Sequence, residues 1–568
     1  MCELGDPSIS LFLAPKEPQK APERSEIRRD EDLGTQEVHN RYDLPCVHHE
    51  RIALAHKAGS DPTRQSAAPC PGVFFRRPGS EAMMVLSVTG ERVDVVVLGA
   101  GLAGLSAALA FARSGRRVLV LERDGPGIAG DADRLFDTWE RPGISHFRQP
   151  HNFLALACQI LLTRAPDVLD TVLALGAREN RQYELLPGKA QPGDEAFVSL
   201  CARRPMFEAA LRRAAERSEN FVLEPFTRVA GLLSASARPN ARLRICGVRT
   251  STGREIRADL VIDALGRTSP LGSWLNGLGA RPMLERSSEC GLIYYSRHFR
   301  LRDGVDMPRT PFLLGGPRGE IGYLAFAVFV EDNRAFALIL SIPPWDRQLR
   351  ALKSEHAYMT AALSLPLVVP WVHPDQAEPI TPVLPMGSLQ NVHRSLVVGG
   401  EPVAVGVQPI GDALCHTNPT FAYGAGLSIK HGFTLADVAG RTEDARARAL
   451  DFDDATGADA AARFDVVSAE DRDRLRLWQG EPIDVRDPSH SMALFLRMTA
   501  YAAAAEDPDL FRAVARRVNM LDPPDALEHD TTLIGRARQI AHDSGPPQPG
   551  GPARAELLEA IDLALINA

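Results

Sequence analysis

Residues 93–122 read VDVVVLGAGLAGLSAALAFARSGRRVLVLE, and their pattern indicates the class of fold. The first six residues form a nearly all-apolar run, which is typical of a strand buried on both faces. A glycine-rich turn from Gly99 to Gly104 follows, and then a small apolar segment with helical spacing that ends at Gly115. Arg117 to Leu121 reads as a second buried strand, closed by Glu122. The pattern predicts one βαβ unit.

The glycine turn has the GxGxxG spacing of a dinucleotide-binding loop. Gly99 permits the tight turn, Gly101 lets the backbone approach a pyrophosphate at the helix N-terminus, and Gly104 lets helix and strand pack closely. GxGxxG alone is weak evidence, and its position between a strand and a helix gives it meaning. The carboxylate of Glu122 can accept hydrogen bonds from a ribose diol and would repel a 2′-phosphate. This half of the site fits either NAD or FAD.

A second glycine-rich region, far along the chain, selects FAD. Residues 395–400 read SLVVGG and predict a strand at which the Rossmann-type part resumes. Gly411 and Asp412 come next, then TNPTFAYGAGLS at 417–428, and then a predicted helix from Ile429 to Ala439. Asp412 can hold a ribityl hydroxyl, and the helix N-terminus can face the edge of an isoalloxazine ring where negative charge collects on reduction. A nicotinamide dehydrogenase needs no such second site.

Chain length and pattern together predict the domain organisation. A chain of 568 residues exceeds the usual size of a single core, so two packed domains with tails are expected. Between the two glycine-rich regions, strand-like segments follow one another without helices, which favours an antiparallel sheet. These segments are Gly291 to Phe299, Phe312 to Leu314, Ile321 to Val330 and Ala335 to Ile342, with a turn at 331–333. The predicted units are a disordered extension (1–88), the first part of the dinucleotide domain (89–285), an antiparallel-sheet substrate domain (286–392), the second part of the dinucleotide domain (393–440) and a helical C-terminal region (441–568).

Apolar residues at helical spacing predict several further helices. They are Phe153 to Ala165, Val168 to Leu175, 205–217, Ala458 to Phe464, Asp471 to Trp478, Ser491 to Ala505, Leu510 to Asn519 and Leu557 to Leu565.

Charge and composition exclude several classes of function. A formal net charge of -8 argues against a nucleic-acid binder. The eight cysteines contain no CxxC pair, so neither a zinc site nor a redox dithiol is indicated, as expected for a reducing cytoplasm. Cys46, His48, His49 and His56 lie close together but in a segment without other fold signals, and we expect no metal. No apolar run approaches the ~20 residues of a membrane span, and no signal peptide is present, so we predict a cytoplasmic protein without a transmembrane segment. The excess of arginine over lysine is typical of a bacterial chain.

Together these motifs resemble the para-hydroxybenzoate hydroxylase superfamily of FAD-dependent monooxygenases. In style the chain is nearest to bacterial natural-product epoxidases and hydroxylases related to squalene epoxidase. Three segments carry the closer resemblance: RPGISHFRQPHNFL at 141–154, RPMFEAALR at 204–212 and DRDRLRLWQGEP at 471–482. The resemblance implies an α/β fold, with a Rossmann-type FAD-binding domain of the GR2-like kind, an inserted antiparallel-sheet substrate domain and a helical C-terminal region.

The resemblance also implies a set of FAD-binding residues. Arg148 and Arg204 would contact phosphate or ribityl oxygens, Val229 would meet the adenine through its backbone, and Pro419 to Gly426 would line the flavin ring. The implied FAD site consists of Gly99, Gly101, Leu102, Ala103, Gly104, Glu122, Arg123, Arg148, Arg204, Val229, Gly266, Gly411, Asp412, Pro419, Gly424 and Gly426.

One motif departs from the superfamily. Its single-component hydroxylases carry an Asp-Gly pair that serves both FAD and NADPH, and residues 262–269 here read IDALGRTS, with Leu265 in the place of that aspartate. We therefore do not expect NADPH to dock in the usual way. NAD(P)H would be a direct or an indirect electron donor, and a separate flavin reductase is a possible partner. No second GxGxxG after a strand indicates a nicotinamide domain.

The resemblance implies a monooxygenase that uses molecular oxygen, through a flavin C4a-hydroperoxide, to hydroxylate or epoxidise a small hydrophobic substrate of secondary metabolism. His416 and His146 are weak candidates for proton donors, and the alternative for each is hydrogen bonding within its loop. Aromatic residues of the antiparallel sheet are candidates for the substrate wall: Tyr294, Tyr295, Tyr323, Phe326 and Phe329. The alternative is an FAD-dependent reductase or dehydrogenase of an alkene or prenyl lipid. A flavin halogenase is disfavoured because the chain lacks the WxWxIP segment.

Overall fold

The computed structural model describes residues 92–235, 243–544 and 550–566. The predicted N-terminal extension and the Cys46 to His56 cluster lie outside these ranges. A seven-stranded sheet carries the βαβ unit, and its strand Arg92–Leu98 pairs in parallel with Val118–Leu121 on one side and Glu255–Asp263 on the other. The strand order is Phe221–Glu224, Val118–Leu121, Arg92–Leu98, Glu255–Asp263, Ile245–Thr250 and Val229–Ser234, and Val407–Pro409 pairs in parallel with Glu255–Asp263.

Two helices pack tightly against one another on this sheet. Leu102–Arg113 follows the glycine turn, and Tyr423–Arg441 returns to it from the other end of the domain. A Cβ atom at Gly432 would lie only 2.6 Å from the backbone nitrogen of Ala107, so the two helices can approach this closely only because residue 432 has no side chain. The other helices of this part are Ala132–Thr138, Ala155–Arg164, Pro166–Ala174, Arg204–Glu216 and Leu271–Gly277.

A six-stranded antiparallel sheet forms the second layer of the fold. One of its faces packs on the helices Glu355–Leu363 and Arg554–Ile566, and the other turns toward Trp478 and the dinucleotide domain. Its strand order is Arg318–Glu320, Ala325–Val330, Ala335–Ile342, Ile293–Leu301 and Ala377–Pro379, and Leu384–Met386 pairs with Ile293–Leu301.

Among the described residues, eight short strands lie outside the two large sheets. They form three small sheets: Leu284–Glu289 with Gln390–Ser395 and Cys415–His416; Asn152–Phe153 with Val198–Cys201 and Arg178–Arg181; and Val397–Val398 with Glu401–Pro402.

The C-terminal region is helical, as predicted. Its longest helix, Ala445–Trp478, is capped by the side chain of Asp444, which accepts a hydrogen bond from the backbone of Ala447. The remaining helices are Met492–Leu494, Tyr501–Ala503, Pro508–Val518, Thr531–Ser544 and Arg554–Ile566, with a π-helical turn at Phe495–Ala500.

Some predicted elements were wrong, each for a local reason. Phe312 to Leu314 is not a strand, because Leu313 and Leu314 are buried in a turn and the Leu313 N–H donates to the hydroxyl of Tyr501. The predicted strand at 395–398 does not rejoin the main sheet: Val397–Val398 forms a two-residue hairpin, and Val407–Pro409 is the strand that returns. The prediction began a helix after Gly457, but tertiary packing carries Ala445–Trp478 through this glycine. The helices Glu355–Leu363 and Thr531–Ser544 were missed.

The predicted α/β class, with an added antiparallel sheet and a helical C-terminal region, is confirmed.

Candidate functional site

A cavity of about 720 Å³ lies where the parallel strands end and the antiparallel sheet begins. Its size is within the usual range for a cofactor or substrate site. The glycine turn and Glu122 line one end of the cavity. Its sides are lined by residues of the segments 141–152 and 264–268, and the part near the antiparallel sheet by residues between Ile410 and Ser428. Ligands of open α/β sheets bind at this edge, outside the carboxyl ends of the strands.

The glycine turn presents free backbone donors to the cavity. Gly101 precedes the helix Leu102–Arg113, and no side chain caps the helix N-terminus. Its first N–H groups are therefore available to an anion. Gly99 has a φ of +96°, and a Cβ there would lie 2.8 Å from the carbonyl oxygen of Ala264, so the turn requires glycine. Gly104 lies behind the cavity wall, where a Cβ would lie 1.9 Å from the Gly99 oxygen.

A buried charge network holds Glu122 at the end of the cavity. Its carboxylate accepts hydrogen bonds from the Ala100 N–H (2.7 Å), the Asp124 N–H (2.9 Å) and the guanidinium of Arg141 (2.8 Å). Arg141 also donates to Glu208 (2.6 Å) and Asp124 (3.3 Å). Since these donors fix the carboxylate in place, its remaining lone pairs are preoriented for a ribose.

Glu208 extends this network to the middle of the cavity. Its other oxygen accepts a hydrogen bond from Nε of Arg204 at 2.7 Å, and Nη1 of Arg204 reaches Nε2 of His146 at 2.7 Å and Nε2 of His151 at 3.4 Å. An arginine only donates, so both imidazoles accept through Nε2. Nδ1 of His151 lies 2.7 Å from the Gln149 carbonyl oxygen and therefore carries the proton.

Both histidines are neutral near pH 7. Burial, and then the charge of Arg204, lower the pKa of His151 to about 3. The same two causes lower the pKa of His146 well below its usual range. The guanidinium of Arg204 is thus the local positive charge, and it lines the cavity beside Gly101.

The late glycine-rich motif brings an aspartate and a histidine together. Nδ1 of His416 donates to Oδ2 of Asp412 at 3.1 Å. Burial alone would raise the pKa of Asp412, but the charge and hydrogen bond of His416 outweigh it, and the pKa lies below its ordinary value. Nε2 of His416 is buried and has no hydrogen-bond partner among the described residues, although His416 lines the cavity.

The loop that carries Pro419 is fixed from behind by amides and a carboxylate. Asn418 donates through its side chain to Asp471 (2.6 Å), and its backbone N–H donates to the side chain of Asn391 (2.6 Å). Arg474 neutralises Asp471 at 2.7 Å, and both side chains are fully buried. The segment 471–482 therefore acts on the site by holding this loop.

The antiparallel sheet closes the cavity with an apolar wall formed by Tyr294, Phe329, Ile339, Met386 and Leu389. Strand alternation decides which of the predicted aromatic residues take part. Tyr295 and Phe326 point to the opposite face and pack in its core, and Tyr323 packs there as well.

The structure brings most predicted site residues together around one cavity. Twelve of the predicted FAD contacts and both candidate proton donors line it: Gly99, Gly101, Leu102, Ala103, Glu122, Arg123, Arg204, Val229, Gly266, Asp412, Pro419, Gly424, His146 and His416. Gly104, Arg148, Gly411 and Gly426 do not line it. Arg148 instead donates to the carbonyl oxygens of Phe136 and Asp137. Gly411 and Gly426 are packing positions, where a Cβ would approach Ala103 and Met520 at 2.6 and 2.7 Å.

Sequence reasoning missed Arg141, His151 and Gln149, which also line the cavity. Arg141 is the arginine of the segment 141–154 that the fold turns inward, whereas Arg148 turns away. The available signal was Arg141 itself, at the start of the segment that carried the resemblance.

The cavity has uncapped helix donors with a cation beside them, a fixed carboxylate at one end, a carboxylate in the middle and an apolar wall at the other end. A dinucleotide with a flavin ring needs these groups in this order, so the residues present fit FAD.

The chain is an FAD-dependent oxidoreductase. Residues 94–268 match the family of FAD dependent oxidoreductases (DAO). Protein Rv3254 of Mycobacterium tuberculosis (strain ATCC 25618 / H37Rv) is 27% identical over 367 residues, which cover 59% of this chain and 71% of that protein.

One solved structure of related fold supports the fold described above. A flavoprotein/dehydrogenase from Cytophaga hutchinsonii superposes with a TM-score of 0.51 at 17% identity, covering 80% of this chain and 100% of that one. The probable FAD-dependent monooxygenase pqsL from Pseudomonas aeruginosa gives a TM-score of 0.47 at 16% identity, covering 69% and 99%. At 17% identity the likeness to the flavoprotein/dehydrogenase concerns the fold alone.

In the ranges that the structure describes, no group of three or more histidine, cysteine or acidic residues could hold a metal ion. No helix there combines the length and apolar character that crossing a membrane requires.

Proposed function

We propose that the protein is a monooxygenase that uses FAD, molecular oxygen and electrons from NAD(P)H to hydroxylate or epoxidise a small hydrophobic compound. The observation that carries this proposal is the apolar wall of Tyr294, Phe329, Ile339, Met386 and Leu389 beside the late FAD motif. None of these side chains is ionisable near neutral pH, and burial raises the pKa of Tyr294 further. A chamber of this kind selects an apolar substrate and keeps water from the reacting atoms.

The proposal assigns each part of the cofactor to residues of the cavity. The pyrophosphate would lie on the helix N-terminus at Gly101 and beside Arg204, and Glu122 would hold the adenosine ribose. The backbone of Val229 would meet the adenine. Asp412 would hold the ribityl chain, and the loop at Pro419 would lie along the flavin ring. When bound and reduced, FAD supplies the electrons that activate oxygen.

The residues of the chain would orient the substrate, exclude water and donate a proton. His416 is the residue placed for the proton, because its Nε2 has no partner while Asp412 fixes its Nδ1–H. His146 is not placed for this role, since its Nε2 already accepts from Arg204 and its pKa is lowered well below its usual range. The apolar wall would orient the substrate by contact alone.

Leu265 supports an indirect supply of electrons. It lines the cavity, and its backbone N–H donates to Asp263 at 3.1 Å. An apolar side chain at this position offers no acceptor to a nicotinamide or its ribose. We therefore propose that a separate flavin reductase passes on the electrons of NAD(P)H.

The test is a single turnover in labelled oxygen. FAD-loaded protein is reduced with NADH or NADPH, with and without a flavin reductase, and is then mixed with ¹⁸O₂ and a panel of aromatic and alkene compounds. A product with one ¹⁸O atom, formed only when the reductase is present, is the expected result. A saturated product that forms without oxygen would overturn the proposal in favour of an alkene reductase. Fast bleaching of the flavin by NAD(P)H alone would refute the separate reductase while leaving the oxygen chemistry open to the same assay.

A further inference from the structure

A glutamine side chain is held against the apolar wall of the cavity. Gln149 lines the cavity, and its Oε1 accepts a hydrogen bond from the hydroxyl of Ser296 at 2.5 Å. In the strand register Ser296 lies directly opposite Ile339, a residue of the wall, and residues opposite one another share a face of the sheet. The amide of Gln149 therefore lies where the cavity meets the wall, as a polar group beside an apolar surface.

The contacts of this amide decide which of its ends faces which neighbour. The hydroxyl of Ser296 has one proton, and Oε1 of Gln149 is a nearer acceptor than the carbonyl oxygen of Leu384, which lies 3.3 Å from the hydroxyl. Nε2 of Gln149 makes a long contact of 3.4 Å to the same carbonyl oxygen, and a turned amide would place two acceptors against each other there. Since Nε2 carries two protons and one long contact accounts for one of them, an N–H remains for a ligand in the cavity.

A second amide of the same segment has a donor without a partner. Asn152 also lines the cavity, and it is only 3% exposed. Its Nδ2 is buried and has no hydrogen-bond partner among the described residues. Burying an amide donor unpaired is unfavourable, so buried polar groups are nearly always hydrogen-bonded. A bound molecule with an oxygen acceptor would satisfy this donor.

The two donors are neutral amides, and the charged groups of their segment are engaged elsewhere. Arg148 donates to the carbonyl oxygens of Phe136 and Asp137 and does not line the cavity. His151 is neutral near pH 7, because burial and the charge of Arg204 lower its pKa to about 3. A carboxylate at the two amides would lose its hydration with no cation of this segment to pair with, whereas a carbonyl oxygen requires only a neutral donor. The two amides therefore favour an uncharged acceptor.

We infer that Gln149 and Asn152 determine the specificity of the proposed reaction by donating hydrogen bonds to an uncharged carbonyl oxygen of the substrate. The inference rests on the proposed function, because it places the substrate in the same cavity. It adds the chemical class, an apolar compound that carries a ketone or a similar carbonyl group. The wall holds the apolar body by contact without direction, and the two donors fix which way the molecule lies.

The experiment compares two probes that differ in one carbonyl oxygen. 2-Acetylnaphthalene and 2-ethylnaphthalene have the same apolar body, and the binding of each to the FAD-loaded protein is measured by calorimetry and by the change in flavin absorbance. We expect the ketone to bind about tenfold more tightly than the hydrocarbon, since a hydrogen bond to an otherwise unpaired buried donor contributes about that much. Without these donors the ketone should bind no better than the hydrocarbon, because water solvates its carbonyl oxygen.

Two variants remove the donors at nearly constant volume. Gln149→Met and Asn152→Leu should each reduce the preference for the ketone, and the double variant should abolish it while the hydrocarbon binds as before. Gln149→Glu keeps the oxygen that Ser296 contacts and removes the donor, so it should also lose the preference, even where Gln149→Met folds poorly. The matched control is Gln159→Met, because Gln159 does not line the cavity and donates to the carbonyl oxygen of Ala196. This control should keep the full preference.

The outcomes separate the inference from its alternatives. Equal binding of the two probes, binding of neither, or a preference that survives in the double variant would overturn the inference. Weaker FAD binding in the variants, with the preference unchanged, would show that the amides serve the cofactor and would overturn it as well. Binding is measured without turnover, so a protein that shows the preference but fails the ¹⁸O₂ assay would refute the proposed function alone.

Discussion

Replacing Arg141 by glutamine tests the buried charge network that fixes the ribose end of the cavity. The side chain of Arg141 is 2% exposed and contacts the carboxylates of Glu122, Asp124 and Glu208, which are 6%, 4% and 0% exposed. Removing the cation leaves three buried carboxylates facing one another, with only Arg204 on one of them. Losing one partner of a buried ion pair lowers the free energy of unfolding by about 3–5 kcal/mol. Because three carboxylates lose their partner here, we expect a loss in the upper half of that range.

The assay is chemical denaturation of FAD-free protein, followed by FAD titration of the folded fraction. We expect the free energy of unfolding to fall by about 4 kcal/mol and FAD to bind more weakly, because Glu122 is no longer held. The matched control is Arg212→Gln on the same helix as Glu208, since its acidic partner, Glu216, is 49% exposed. The free energy of unfolding of this variant should fall by under about 1 kcal/mol. If Arg141→Gln is no more destabilising than Arg212→Gln, the network does not hold the site and our reasoning fails.

Two other predictions concern Asp412 and the buried histidines. Asp412→Ala should weaken FAD binding by about tenfold or more, because a hydrogen bond to a charged group contributes about that much. The control is Asp375→Ala on the exposed surface, which should not change the flavin content of the purified protein. Equal flavin content in the two variants would contradict the assignment of Asp412. Burial, together with neighbouring cations, lowers the pKa of His146, of His151 (to about 3) and of His431 (to about 3). Below about pH 6.5 the unfolded chain, whose histidine pKa values lie near 6.5, binds more protons than the folded chain. The contribution of these histidines to the free energy of unfolding is therefore complete above about pH 6.5 and is lost as the pH falls toward 3, with a slope of up to about 1.4 kcal/mol per pH unit for each histidine. A free energy of unfolding that stays constant from about pH 7.5 to about pH 5.5 would refute this prediction.

Features that depend on neighbours in the chain were predictable from the sequence. The strand, turn and helix at 93–113 form because the apolar run, the glycines and the small residues act locally, and the structure places Gly99, Gly101 and Glu122 on one cavity. Asp412 of the second motif was likewise predicted as a site residue, and it lines the same cavity. These residues lie at the ends of strands and helices, which fix their positions. The ends of these strands and helices can be predicted from the spacing of glycines and apolar residues along the chain.

Choices between similar residues were decided by packing alone. Arg141 and Arg148 belong to one segment, yet only Arg141 turns toward the cavity, because Glu122 and Glu208, distant in sequence, meet there. Among the aromatic residues, Tyr294 reaches the cavity and Tyr295 does not, since a strand sends alternate side chains to opposite faces.

Turn chemistry and strand patterns act over a few residues, so the amino-acid sequence was sufficient to predict an FAD-binding domain of the Rossmann type. The lining of the cavity depended on tertiary packing instead. Its apolar wall comes from strands whose shared face depends on sheet register, and that register is set by contacts across the whole domain.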